Sequence, residues 1–289
     1  MQITSSQRRG SINPVGVGIC KLTGTRGEFV KSHIIPRAFS DRIFGQTARV
    51  QLGQLGRLPI LRRTSWYDDN IVTAEGEEIL QRVDGAFVKE AEELGLTWRY
   101  FPFSDKAKQK PLDGEDIVSI ELDHSRWDRV RLFSLSLLWR AAVSRRPEFS
   151  EIWLDPIALR KLTKIVRGEI GAHEFDFPTT LVLLTEQGQP QNMTPLRQRM
   201  TVPQLTIGLK AYIKIFRFYV DGLIFHIGQK TMDRELFRCW HGRVLGVDNP
   251  LSFVGRKYVG SWQMQNLEQL VQETERDTPG KLNQLFKVK

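Results

Sequence analysis

Asp69-Asn-Ile-Val-Thr-Ala-Glu-Gly-Glu-Glu-Ile-Leu80 reads as a turn that runs directly into a helix. From there Ile79, Leu80, Val83, Phe87, Ala91 and Leu94 recur at spacings of three and four, which stacks them on one helix face. Thr73 stands at the N-cap position. Glu75, Glu77 and Glu78 suit the positive end of the helix dipole, and Gly95 stops the run. The spacing predicts a helix over 74–94. Upstream, Gly24-Thr-Arg-Gly27 separates two short extended runs within 19–36. The second of these is Glu28-Phe-Val-Lys-Ser-His-Ile-Ile35, closed by Pro36. Short strands followed by an amphipathic helix make the first hundred residues α+β in character.

Working outward, residues 1–18 are polar with Gly, Ser and Pro, and read as an arm. Residues 40–65 are Gly-spaced and basic, a loop with one strand over 48–52. Residues 101–116 are polar and Lys-rich, which predicts a linker. Leu132, Phe133, Leu135, Leu137, Leu138, Trp139, Ala141, Ala142 and Val143 leave almost no polar face on a helix over 128–145, so that helix belongs at the centre. Pro156 opens a second helix that ends at Gly168. Thr179 to Thr185 reads as a buried strand, and Val220-Asp-Gly222 joins two strands as a hairpin turn. Residues 261–275 predict a C-terminal helix. The expected organisation is a module over 1–100, a linker over 101–116, and a domain over 117–289 with two helices, a mostly antiparallel sheet and a final helix.

The 289 residues carry a formal net charge of +9, unevenly spread. Residues 1–65 hold eleven Lys/Arg against two acids, whereas residues 66–100 hold nine acids against three bases. A basic N-terminal third is what a phosphate-binding surface requires. The same pattern would also arise if the basic segment folded against the acidic one. Two cysteines, Cys20 and Cys239, make no disulfide framework, so a reducing cytoplasm is the expected compartment. The chain contains no run of about 18 apolar residues, so no membrane span is expected.

Three segments in order carry a resemblance: Cys20-Lys-Leu-Thr23, Lys31-Ser-His-Ile-Ile-Pro36, and Asp69-Asn-Ile-Val-Thr73-Ala-Glu-Gly76. They resemble HNH (ββα-metal) nuclease modules, in which a CxxC, a His-Ile-Ile-Pro-like strand and an Asn-Ile/Leu before a second CxxC follow one another. Trp66-Tyr-Asp-Asp-Asn-Ile-Val72 and Leu138-Trp-Arg-Ala-Ala-Val-Ser-Arg145 extend the likeness to a group of prokaryotic HNH-like proteins, over roughly residues 15–170. Two CxxC knuckles normally hold one zinc between hairpin and helix. Here Thr23, Thr73 and Gly76 stand where three thiolates would be, so a zinc-less ββα-metal module is expected, with no structural zinc.

The resemblance implies metal-assisted phosphodiester hydrolysis. His33 matches the general base and Asn70 the residue that orients it. The implied cation is Mg²⁺, with Glu77, Glu78 and Asp84 as its candidate ligands. Ser32 replaces the acidic or His residue usual before the base. Arg8, Arg9, Lys31, Arg37, Arg62 and Arg63 are the candidate phosphate contacts. Each has an ordinary alternative. His33 could be a core histidine, Asn70 a turn or capping residue, and Glu77 and Glu78 simple helix-dipole partners. Trp139 and Arg140 would tie the central helix to its neighbours. His124, His173 and His226 stand isolated, and Cys239-Trp-His241 has no partner at ligand spacing.

Two functions follow. One is a DNA-directed, metal-dependent endonuclease of a phage-defence or mobile-element locus. The other is a catalytically inactive HNH-derived scaffold that binds nucleic acid or a partner protein within a multi-subunit system. A third reading makes the chain a protein–protein adaptor, with the β-rich half as its interface.

Overall fold

A computed structural model describes residues 16–40, 49–52, 60–62, 64–102, 108–112, 115–120, 123–189, 191–203, 210–229, 243–247 and 251–280. The first elements are a small hairpin, β1 (Val17–Ile19) and β2 (Arg26–Glu28), turned through Gly24. Strand β3 (Ser32–His33) follows. After β4 (Arg49–Leu52) and β5 (Ile60–Arg62), strand β6 (Tyr67–Asp68) pairs antiparallel with β3, setting His33 opposite Tyr67 and Ser32 opposite Asp68. Helix α1 (Ala74–Leu94) has the bounds that its apolar spacing predicts. Gly95 closes it in the left-handed conformation, with its N–H donating to the Ala91 carbonyl. Thr73 occupies the N-cap position but makes no side-chain capping bond.

Helix α2 (His124–Val143) is the central element that its composition requires. It packs against α1, against α3 (Pro156–Arg167) and against the sheet. Phe87 of α1 and Phe133 of α2 stack with ring centroids 3.8 Å apart. Both meet Phe225 of the sheet, at 6.1 and 5.9 Å. One apolar cluster therefore runs from Cys20 and Ile34 through α1 and α2 to Phe225 and Phe253. The N-terminal module and the C-terminal half share that core.

The main sheet has seven strands among the described residues. Its order is β11 (Leu196–Pro203), β12 (Lys210–Val220), β13 (Leu223–Gly228), β9 (Thr179–Leu184), β14 (Leu251–Arg256), β8 (Glu115–Ile120), β7 (Lys108–Leu112). All its pairings are antiparallel except β14 with β9. The stretch 101–116, expected as a linker, thus supplies the edge strand β7 and the start of β8. An edge strand tolerates polar residues, which is why its composition reads as a linker. A short β10 (Gln191–Met193) pairs parallel with β4, outside the main sheet. The chain is α+β, with four α-helices among the described residues and antiparallel pairing prevailing.

Residues alternate across each strand, so the two faces of the sheet have different tasks. Phe216, Phe218 and Phe225 face α2. Tyr219, Ile224 and Leu184 face the C-terminal helix α4 (Trp262–Asp277), through Leu267 and Leu270. The hairpin at Asp221-Gly222 has φ of 50° and 91°, the paired positive values of a tight two-residue turn. Trp98 packs over it, donating its backbone N–H to the Asp221 carbonyl at 2.7 Å.

A Cβ placed on Gly222 would lie 2.4 Å from the Trp98 ring. Gly222→Ala should therefore cost about 2 kcal/mol or more in urea denaturation, from strain and overpacking together. Gly171→Ala, with open space around it, should stay within about 0.5 kcal/mol of wild type. Equal stability of the two variants would contradict this account of the turn.

Candidate functional site

The four positions that matched the zinc knuckles converge. Cys20 lies at the end of β1 and is buried. Its Sγ accepts from the Thr23 backbone N–H at 3.4 Å. The hydroxyls and amides of Thr23 and Thr73 surround the same sulfur. A Cβ built on Gly76 would lie 2.7 Å from that Sγ, so the sulfur fills the space that a side chain at 76 would take. Burial pushes the Cys20 thiol up, but the polar groups of Thr23 and Thr73 around it outweigh burial and hold it below its ordinary pKa. The donor set is one thiol, two hydroxyls and a glycine, which does not fit a structural zinc ion. Bridging of Phe29 to Thr73 and a bond from Val30 N–H to the Val72 carbonyl at 3.0 Å fasten hairpin to helix instead.

Ser32 is buried and faces α1, where its hydroxyl sits beside the Glu77 carboxylate. Burial pushes the Glu77 carboxyl up, while Ser32 and Arg140 pull it down. Asp84 lies two turns further along α1. Its two carboxylate oxygens each accept from Nη2 of Arg140, at 2.9 Å. The Arg140 side chain is 1% exposed. Burial drives the Asp84 carboxyl up, and the guanidinium opposes it. Glu77 and Asp84, both half-buried, thus form one charge cluster with the buried Arg140 between α1 and α2. Glu78 takes no part. It is exposed on the outer face, 3.7 Å from Arg82.

His33 alternates with Ser32 along β3, so its ring lies across from Tyr67, with centroids 6.0 Å apart. Lys31, on the same strand face, sets its Nζ 3.7 Å above the Tyr67 ring. Asn70 is exposed in the turn before α1, its amide donating to Asp69 and its backbone N–H to Asp68, at 2.8 and 2.9 Å. It lines a cleft with Lys21, Asp68, Asp69, Arg145 and Arg146. The structure brings Ser32, Glu77 and Asp84 together along α1. The candidate Mg²⁺ ligands differ in what they have left to offer a cation. Both Asp84 oxygens are engaged by a guanidinium, Glu78 points to solvent, and no group of three potential ligands is gathered among the described residues.

Of the candidate phosphate contacts, Lys31 and Arg37 are exposed. Arg62 lies on β5, where only the backbone is described. Arg8, Arg9 and Arg63 fall outside the described residues. Sequence reasoning missed the cleft's own contacts. Lys21 donates to the last carbonyl of α2, at Val143, at 2.6 Å. Ser144 donates to Asp68 at 2.6 Å, and Arg146 to the Tyr67 carbonyl at 3.1 Å. The Leu138–Arg145 segment of the resemblance is thus the dock for the hairpin. No helix among the described residues is long and apolar enough to cross a membrane.

Removing one partner of a buried pair leaves an uncompensated charge, whereas removing both can be nearly neutral. Arg140→Met alone should therefore lose about 3–5 kcal/mol of stability, and Arg140→Met with Asp84→Leu should recover most of that loss. Simple additivity of the two substitutions in a denaturation cycle would contradict the cluster.

Compared with known protein families, with curated proteins and with solved structures, the chain matches none.

Proposed function

We propose that this chain is a degenerate HNH-like protein that binds nucleic acid, with DNA as the expected partner. On this reading it serves as a scaffold in a multi-subunit defence or mobile-element system. The observation that carries the scaffold reading is the Asp84–Arg140 pair. Where an HNH site would present carboxylates to a divalent ion, a guanidinium lies against Asp84. The meeting of positions 20, 23, 73 and 76 around one sulfur supports the HNH-like descent. The concentration of basic residues in the first 65, with Lys31 and Arg37 exposed, supports a phosphate-binding surface.

His33 favours a second reading, a Mg²⁺-dependent endonuclease. It stands beside Ser32 on a strand facing the Glu77 end of α1, where a histidine could serve as a base.

Fluorescence anisotropy on labelled duplex and single-stranded DNA tests the binding. Affinity should fall steeply between ~50 and ~200 mM salt, and the double variant Lys31→Ala/Arg37→Ala should flatten the slope by about one to two. A response independent of salt would leave the adaptor reading instead. With plasmid and Mg²⁺ or Mn²⁺, no nicking is expected. Nicking that disappears in His33→Ala would replace the scaffold with the enzyme.

A further inference from the structure

The face of the main sheet that α4 covers holds a second cavity, of about 400 Å³. That volume is in the range of small-molecule sites. Its floor is apolar, formed by Val182, Ile215, Ile224 and Val254. Across the floor runs a polar row. Strand register places Arg217 of β12 beside His226 of β13, and His226 beside Thr180 of β9. Arg256 of β14 and Arg243 join the same wall, and none of the described residues lining the cavity is acidic.

The positive charge here is held at a cost. Burial, with Arg256 nearby, lowers Arg217 to about 10. Burial and the same two arginines lower His226 to about 3, so its ring is neutral at ordinary pH. The charged neighbours of His226 are thus both cations. Guanidinium Nε of Arg217 and ring Nε2 of His226 are buried and find no hydrogen-bond partner among the described residues. Gln263, 1% exposed, also holds its Nε2 in the wall with no partner among them. Buried polar groups are seldom left this way unless something else completes them.

Two further features aim at an anion. Helix α4 starts at the wall, its N-cap Ser261 and first-turn residues Trp262 and Gln263 lining the cavity. The positive end of a sixteen-residue helix therefore lies at the cavity wall. Trp262 also stacks on Arg217, with the guanidinium carbon 4.4 Å from the ring centroid. The stack fixes the plane of the guanidinium, leaving its edge to bond.

We infer that this cavity binds a phosphate monoester. The phosphate would sit between Arg217, Arg256 and Gln263, with the organic part on the apolar floor. Guanidiniums recognise phosphate by paired, charge-assisted bonds. A mononucleotide and the 5′-phosphate end of a short strand carry the same group, and both can be tested. The inference is independent of the HNH-like reading, because every residue it uses lies beyond residue 179.

Calorimetric titration of the full-length protein decides it. The probes are AMP, adenosine, and a trithymidylate with and without its 5′-phosphate. AMP binding with adenosine silent marks a free nucleotide as the source. Binding of the 5′-phosphorylated trinucleotide alone marks a strand end. In either case Arg217→Gln and Arg256→Gln should each weaken binding at least about tenfold. If Arg217→Gln does not fold, Arg256→Gln at the exposed rim decides, together with the rise in Tm that the bound phosphate ester should give wild type. Absence of binding by every phosphorylated probe would overturn the inference. So would equal binding with and without the phosphate, or an Arg256→Gln variant that binds like wild type.

Discussion

A guanidinium sealed inside a protein must meet its counter-charge there, and Arg140 does so on Asp84. That constraint fixes how α1 and α2 lie together. With the two helices clamped, Phe87 can stack on Phe133 and both can reach Phe225. The sheet therefore joins the same core as the N-terminal hairpin. The C-terminal end of α2 continues the work. Val143 and Ser144 take up Lys21 and Asp68, so the segment around β3 and β6 docks on the helix that the sheet also covers. Hairpin, helices and sheet thus depend on one buried helix with a charge in its interior.

The same pair bears on chemistry. A carboxylate already bridged by a guanidinium is a poor ligand for a divalent cation, which demands those same oxygens. Glu77, raised by burial, stands next to it with Ser32 as a neutral neighbour. The N-terminal site has the layout of a cation-binding acidic cluster, with the cation supplied by the chain itself. The other face of the sheet shows the converse arrangement, where Arg217 and Arg256 face a cavity with no acid among the described residues of its wall.

Much of the fold was legible where periodicity is strong. The spacing from Ile79 to Leu94 fixed α1 to the residue, and Asp221-Gly222 announced its hairpin because few residues accept that turn. Strands β7, β8 and β14 were not read. Lys108–Leu112 is polar because it lies at an edge, and Leu251–Arg256 pairs in parallel with a strand some seventy residues earlier. Nothing local records such a partner. The site divides in the same way. Glu77 and Asp84 share a helix face, so their nearness follows from spacing. The guanidinium of Arg140, which occupies Asp84, comes from 56 residues away. His226 stood isolated along the chain, yet register sets it beside Arg217.

On the proposed HNH-like reading, the sulfur of Cys20 marks the centre of a former metal knuckle, now lined by Thr23, Thr73 and Gly76. The most direct test of this reading is to restore the missing thiolates with Thr23→Cys, Thr73→Cys and Gly76→Cys, and to titrate the variant with Co²⁺ and Zn²⁺. The Cys20 side chain must turn aside to admit a Cβ at 76, and Val72, whose Cβ and Cγ1 lie 3.1 Å from it, must give by a few tenths of an ångström. The account predicts one Co²⁺ per chain with the visible absorption of tetrahedral thiolate ligation, displaced by Zn²⁺, with a rise in Tm, and abolished by Cys20→Ser. A folded variant that takes up no metal, or binds it equally well without Cys20, would contradict the claim.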